Sequence, residues 1–180
     1  MRITSGDFKY RRLIAPKGYD SRPTSEKVRE AVFSMIGTNI EGANVLDLFA
    51  GTGSLGLEAL SRGADKCTFN DNSSKSLEAL RENIENCKAE GWSTVLRGDF
   101  KRTLDKATEP FDIIFLDPPY KAGFYDDAFK LISEKNLLKE DGLLIVEHNK
   151  RDGLDDKKAG FVKIKEKRYG SVGVSVFKLA

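Results

Sequence analysis

Two rhythms of apolar residues alternate along the middle of the chain. In "EKVREAVFSMIG", Val28, Val32, Met35 and Ile36 fall three or four positions apart, which predicts an amphipathic helix that Thr24 or Ser25 can cap and Gly37 can end. "ANVLDLFA" follows as a nearly unbroken apolar run, the pattern of a strand covered on both faces in a parallel sheet. The alternation then repeats. "SLGLEALSRGA" is helical through Leu55, Leu57 and Leu60 and stops at Gly63, "KCTFN" is strand, and "SKSLEALRENIENCKAEG" is a long amphipathic helix ending at Gly91. "TVLRG", a short helix near residues 101–107, "FDIIFLD", a helix around residues 126–135 and "GLLIVEH" complete the series. Strands separated by helical stretches predict right-handed βαβ units. The end of the chain differs, because "FVKIK" and "VSVFK" alternate with period two on either side of a turn at residues 169–173, which predicts a hairpin. The expected fold is α/β: a doubly wound, Rossmann-like sheet, mostly parallel, with a C-terminal antiparallel hairpin.

Composition narrows the setting. At 180 residues and 39% hydrophobic content the chain has the size of one domain, with residues 1–23 as a short arm and 24–180 as the core. No apolar run approaches the roughly 18 residues of a membrane span, and "MRITSGDFKY" lacks a signal-like stretch, so the expected location is the cytoplasm. Cys67 and Cys87 have no zinc-type spacing and are expected as free thiols. Net charge is only +2, yet residues 1–24 carry Arg2, Lys9, Arg11, Arg12, Lys17 and Arg22 against Asp7 and Asp20. A basic arm on a near-neutral body suits a polyanion. Trp92 is expected to pack, and His148, the one histidine, to take a hydrogen-bonded role at a strand end.

Candidate chemistry begins with "VLDLFAGTGSLG", where Gly51, Gly53 and Gly56 keep the GxGxxG spacing between a strand and a helix. Such a turn lets a ligand lie against backbone amides at a helix N-terminus. Asp71 then stands where a ribose-binding carboxylate is expected, which would fit a dinucleotide. Asp47 argues against one, because a carboxylate four residues before Gly51 repels a pyrophosphate and suits a cation. S-adenosylmethionine carries a sulfonium and no phosphate. Asp99, after the third strand, is a candidate acceptor for the adenine amino group, or simply the cap of the short helix.

The fourth strand ends in Asp117-Pro118-Pro119-Tyr120. Two prolines stiffen the loop and remove two N–H donors, so the quartet presents acceptors in fixed directions, with an aromatic face for a splayed-out base. That arrangement suits an exocyclic NH₂, whose protons it can hold while the nitrogen lone pair meets a methyl donor. The chemistry calls for no metal. Open alternatives are a dinucleotide-dependent oxidoreductase, a DNA or other RNA amino-methyltransferase, and a non-catalytic RNA-binding assembly factor.

"LDLFAGTGSLGLEALSRGA" with "DPPY" resembles S-adenosylmethionine-dependent amino-methyltransferases. With "RITSGDFKYRRLIAP", "SRPTSEKVREAVFSMI" and "KRYGSVGVSVFKL", essentially the whole chain resembles the RsmD family of bacterial 16S ribosomal RNA guanine-N2 methyltransferases. The resemblance implies a 16S RNA substrate, presented within a small-subunit particle to a monomeric enzyme. It implies catalysis at Asp117, Pro118, Pro119 and Tyr120. It places the cofactor among Asp47, Phe49, Ala50, Gly51, Thr52 and Gly53, then Asp71 with Asn72, and Asp99 with Phe100, while Arg22, Pro23 and Thr24 help close the site. Arg11 and Arg12 join Arg22 as expected RNA contacts, and Lys163, Lys165, Lys167 and Arg168 are candidate phosphate contacts. Thr52 in place of a commoner serine, and Asp71 where glutamate is usual, are the departures from the family pattern.

Overall fold

A computed structural model of the protein describes residues 1–17, 24–119 and 123–180. Its elements are α1 (Glu26–Ile36), β1 (Asn44–Asp47), α2 (Ser54–Ser61), β2 (Lys66–Asp71), α3 (Ser74–Asn86), β3 (Ser93–Arg97), α4 (Phe100–Lys106), β4 (Phe111–Leu116), α5 (Phe124–Glu134), β5 (Leu138–Asn149), β6 (Lys157–Lys158), β7 (Phe161–Tyr169) and β8 (Val172–Leu179). The strands form one sheet in the order β3-β2-β1-β4-β5-β8-β7-β6. The first five are parallel to one another, and β8 returns antiparallel to β5 with β7 antiparallel beyond it. The Rossmann-like sheet with an antiparallel C-terminal hairpin is thus the observed fold.

Successive side chains of a strand point to opposite faces, and here both faces are covered. Val45, Ile113, Phe115 and Ile145 pack toward α1, α2 and α3, while Leu46, Ile114, Leu116 and Leu144 pack toward α4 and α5. Every residue of α2 is buried, its polar Ser54, Glu58 and Ser61 included, because the N-terminal arm lies over its outer side. The arm folds back on itself through an Arg2–Arg12 antiparallel bridge and buries Ile3, Phe8 and Leu13. The amide of Asp7 donates to the Ser61 carbonyl at 2.9 Å, and that of Phe8 to Ser61 Oγ at 2.9 Å. Underneath, Arg29 and Glu58 form a fully buried ion pair at 3.6 Å, and Glu58 also accepts from the backbone amide of Thr4.

Of the two candidate caps for α1, Ser25 is the one that caps, its hydroxyl accepting from Val28 N at 3.2 Å. Other details differ from the sequence expectation. β5 begins at Leu138, because the charged stretch Lys139–Asp141 extends the strand with exposed residues that carry no apolar signal. Trp92 is 52% exposed and does not pack; it precedes β3, the edge strand, where no further layer covers it. Cys67 and Cys87 are free and buried.

Candidate active site

All five parallel strands end at the same edge, and the chemistry-bearing side chains gather there. Between β1 and α2 the chain turns through Gly51 (φ 56°) and Gly53 (φ 83°), left-handed geometry that glycine adopts without strain. The glycines do different things. A Cβ on Gly51 would meet nothing within 4 Å, so the backbone there borders open space; one on Gly56 would meet Phe69 Cε1 at 2.3 Å and Cys67 Sγ at 2.7 Å. Gly56 therefore sets the close approach of α2 to β2. Asn83 of α3 steadies the turn, its Nδ2 donating to the carbonyls of Thr52 (2.9 Å) and Ile14 (3.0 Å).

Asp71, at the end of β2, accepts from Gly51 N at 2.8 Å and from Ser73 N at 2.8 Å. A carboxylate offers about four acceptor positions, so this half-buried group keeps capacity for a ribose diol. Asn72 beside it is exposed. Asp99 caps α4 by accepting from Lys101 N at 2.8 Å and stays exposed. Phe49 after β1, Phe100 beside Asp99 and Phe124 of α5 form an aromatic wall. The Phe49 ring lies 5.1 Å from Phe100 and 6.0 Å from Phe124, centroid to centroid.

Asp47 is 1% exposed, and its Oδ2 accepts from Gly56 N at 3.0 Å, inside the first turn of α2. Burial, helped by the negative charge of Asp71 and opposed by the Gly56 hydrogen bond, pushes its carboxyl up to about 7. The parallel register pairs Leu116 with Val146, so Asp117 and Glu147, the next residues, emerge side by side from β4 and β5. Thr24, at the entry to α1, lies between them. Its Oγ1 is 3.3 Å from Asp117 Oδ2 and 3.0 Å from Glu147 Oε2. Burial raises both carboxyls, Asp117 strongly; the charges of Glu147 and Asp47 add to its rise and the Thr24 hydrogen bond opposes it. Among the described residues no lysine, arginine or histidine forms an ion pair with Asp47, Asp71, Asp117 or Glu147.

The strand edge thus brings together the glycine turn with Phe49 and Ala50, and with it Asp47, Asp71, Phe100, Asp117 and Thr24; Pro118 is buried there and Pro119 exposed. Tyr120, Arg22 and Pro23 lie outside the described residues. Arg11 is placed elsewhere. Its guanidinium donates to the Asn86 carbonyl at 2.8 Å, at the far end of the 13-residue α3 whose first turn adjoins Asp71. At 1.5 Å per residue that puts it about 20 Å from the strand edge at Asp71. Arg12 is in the arm's bridge. Lys163 is engaged by Glu166 and Asp156, and Arg168 by Glu166. His148 is buried against β8, its Nε2 2.9 Å from Ser175 Oγ. Sequence reasoning missed Glu147, Phe124 and Asn83. For Glu147 a signal existed, an acidic residue at the C-terminal end of an apolar strand, the rule that picks out Asp71 and Asp117.

Comparison with known proteins agrees in extent. The family model described as conserved hypothetical protein 95 matches residues 1–178. YlbH of Bacillus subtilis (strain 168) is 39% identical over 181 residues, covering 99% of this chain and 98% of that protein. Ribosomal RNA small subunit methyltransferase D of Escherichia coli (strain K12) is 32% identical over 177 residues, covering 98% and 89%. Among solved structures, yhhF from Escherichia coli superposes with TM-score 0.89 at 32% identity, covering 99% of this chain and 97% of that one.

Proposed function

The chain belongs to the conserved hypothetical protein 95 family, the RsmD family, and on that premise we propose that it transfers a methyl group from S-adenosylmethionine to the exocyclic 2-amino group of a guanine in 16S ribosomal RNA. The observation that carries this reading is the set of carboxyls at the strand ends, Asp47, Asp71, Asp117 and Glu147, with no cationic partner among the described residues. Uncompensated negative charge favours a cationic ligand and disfavours the pyrophosphate of a dinucleotide.

Bound S-adenosylmethionine supplies an electrophilic methyl group on a sulfonium. Asp71 would hold the ribose hydroxyls, Gly51 would give the ligand a close approach to backbone, the Phe49–Phe100–Phe124 wall would pack the adenine, and Asp99 would accept from the adenine amino group. Asp117, fixed by the proline pair, accepts hydrogen bonds from the guanine 2-amino group and localises its lone pair, and Tyr120 stacks on the base. Reaching that amino group requires an unpaired or unstacked guanine. In this reading the substrate is presented in a small-subunit particle to a single-domain, monomeric, cytoplasmic enzyme, with the basic arm contributing phosphate contacts.

Asp117→Ala should lower methyl transfer by about 100-fold or more, as loss of a positioned acceptor does, while S-adenosylmethionine binding changes little. Transfer of labelled methyl to undermethylated RNA, with calorimetry for binding, checks this. Full turnover in the variant sinks the mechanism.

A further inference from the structure

A threonine hydroxyl has one proton to donate. Thr24 Oγ1 nevertheless stands within hydrogen-bonding distance of two carboxylate oxygens, Asp117 Oδ2 and Glu147 Oε2. Both contacts are satisfied together only when one carboxyl is itself protonated and donates to Oγ1 while the hydroxyl donates to the other. One hydroxyl between two carboxyls is an arrangement in which the pair can hold a single shared proton. We propose that Asp117, Thr24 and Glu147 form a proton relay that exchanges one proton for the sulfonium charge of the cofactor, taking it back from the guanine 2-amino group as the methyl arrives.

The inference rests on the methyltransferase reading, and its charges balance. A cationic cofactor entering beside Asp117 displaces the shared proton to solvent and leaves two carboxylates. In the transfer the amino lone pair forms the N–CH₃ bond, and the C–S bond breaks with its electron pair staying on sulfur. The sulfonium charge is lost and the substituted nitrogen sheds one proton. Asp117 receives it and passes it to Thr24 Oγ1 as the hydroxyl proton moves to Glu147. One proton then stands where one sulfonium charge stood, and Asp117 is again a carboxylate.

The surroundings favour such an exchange. Burial raises both carboxyls. Asp47 faces Asp117 from β1 with a third carboxyl, itself influenced by Asp71 from β2. From α5, Tyr125 donates to the main-chain carbonyl of Glu147 at 3.1 Å, and His148 points the other way, into β8. Among the described residues no cation pairs with the two carboxyls, so charge has to be balanced by ligand or proton. The strand register keeps Asp117 beside Glu147 whatever the substrate does.

S-adenosylmethionine and S-adenosylhomocysteine differ by one methyl and one positive charge, so together they isolate the exchange. Calorimetric titration of each into the full-length protein at neutral pH, in buffers of different ionisation enthalpy, counts the protons released. The relay predicts that S-adenosylmethionine releases about one proton more than S-adenosylhomocysteine. Glu147→Gln and Thr24→Val should abolish the difference, and Thr24→Ser, which keeps the hydroxyl, should retain it. Single-turnover methylation by Glu147→Gln should be slowed at least several-fold and lose the wild-type pH dependence, a change that mere support of Thr24 would not produce. Equal proton release by the two ligands, or an undiminished difference in Glu147→Gln, overturns the relay while leaving methyl transfer standing. Absence of binding by both ligands overturns the methyltransferase reading, and the relay with it.

Discussion

Asp47 shows how one buried side chain carries a cost that function explains. Its carboxyl sits at about 7 against an ordinary 3.8, chiefly because burial disfavours the charged form. A raised carboxyl contributes stability at low pH that is lost as pH climbs from about 4 through about 7. Asp47→Asn keeps an oxygen to accept from Gly56 but cannot ionise. Between pH 5 and pH 8 the wild type should therefore lose about 2 kcal/mol relative to this variant, or about 4–8 °C in thermal midpoint. Parallel melting curves of the ligand-free proteins at the two pH values check it; equal pH dependence contradicts the assignment. At this scale the sequence was informative where a residue interrupts a pattern. Asp117 stands out because two prolines follow it, and Asp47 because it breaks an apolar run four residues before Gly51. Glu147 breaks an equally apolar run and could have been singled out in the same way, but its pairing is with Thr24, which is 123 residues away in sequence and touches it in space. No local pattern encodes that contact.

At the scale of elements, alternating apolar rhythms were enough to predict five parallel strands and a terminal hairpin, because strands buried on both faces show unbroken apolar runs. The departures have the same physical origin. Lys139–Asp141 near the start of β5 are charged and exposed, β6 has only two residues, and neither leaves a hydrophobic trace. The arm's attachment to α2 is carried by its backbone amides, which donate to Ser61 and to Glu58, the buried partner of Arg29, and periodicity does not register these contacts. Gly56 is where two elements meet most tightly. Gly56→Ala drives a methyl into Phe69 and Cys67 and should cost about 1–3 kcal/mol, the usual range for overpacking. Gly91→Ala, with nothing within 4 Å of the added carbon, should be close to neutral. Denaturant unfolding of the two variants beside wild type measures the contrast; similar midpoints for both would refute the role given to Gly56.

Across the whole molecule, charge is divided between two ends. The carboxyls collect at the C-terminal edge of the strands, and Arg11 of the basic arm is fixed at the opposite end of α3. A ligand that uses both must span about 20 Å, a distance set by the length of a 13-residue helix and natural for a folded RNA, not for a metabolite. The resemblance of the sequence to RsmD enzymes already covered the whole chain, and the family match over residues 1–178 agrees with it. What the sequence did not reveal was this separation, since arm and helix end meet only in the folded chain. The measurement that tests the central claim most directly is transfer of tritiated methyl from S-adenosylmethionine to undermethylated small-subunit particles and to naked 16S RNA, followed by nucleoside digestion. The account predicts label in 2-methylguanosine, lost in Asp117→Ala. Label in any other nucleoside, or none on either substrate from protein that binds the cofactor, would contradict it.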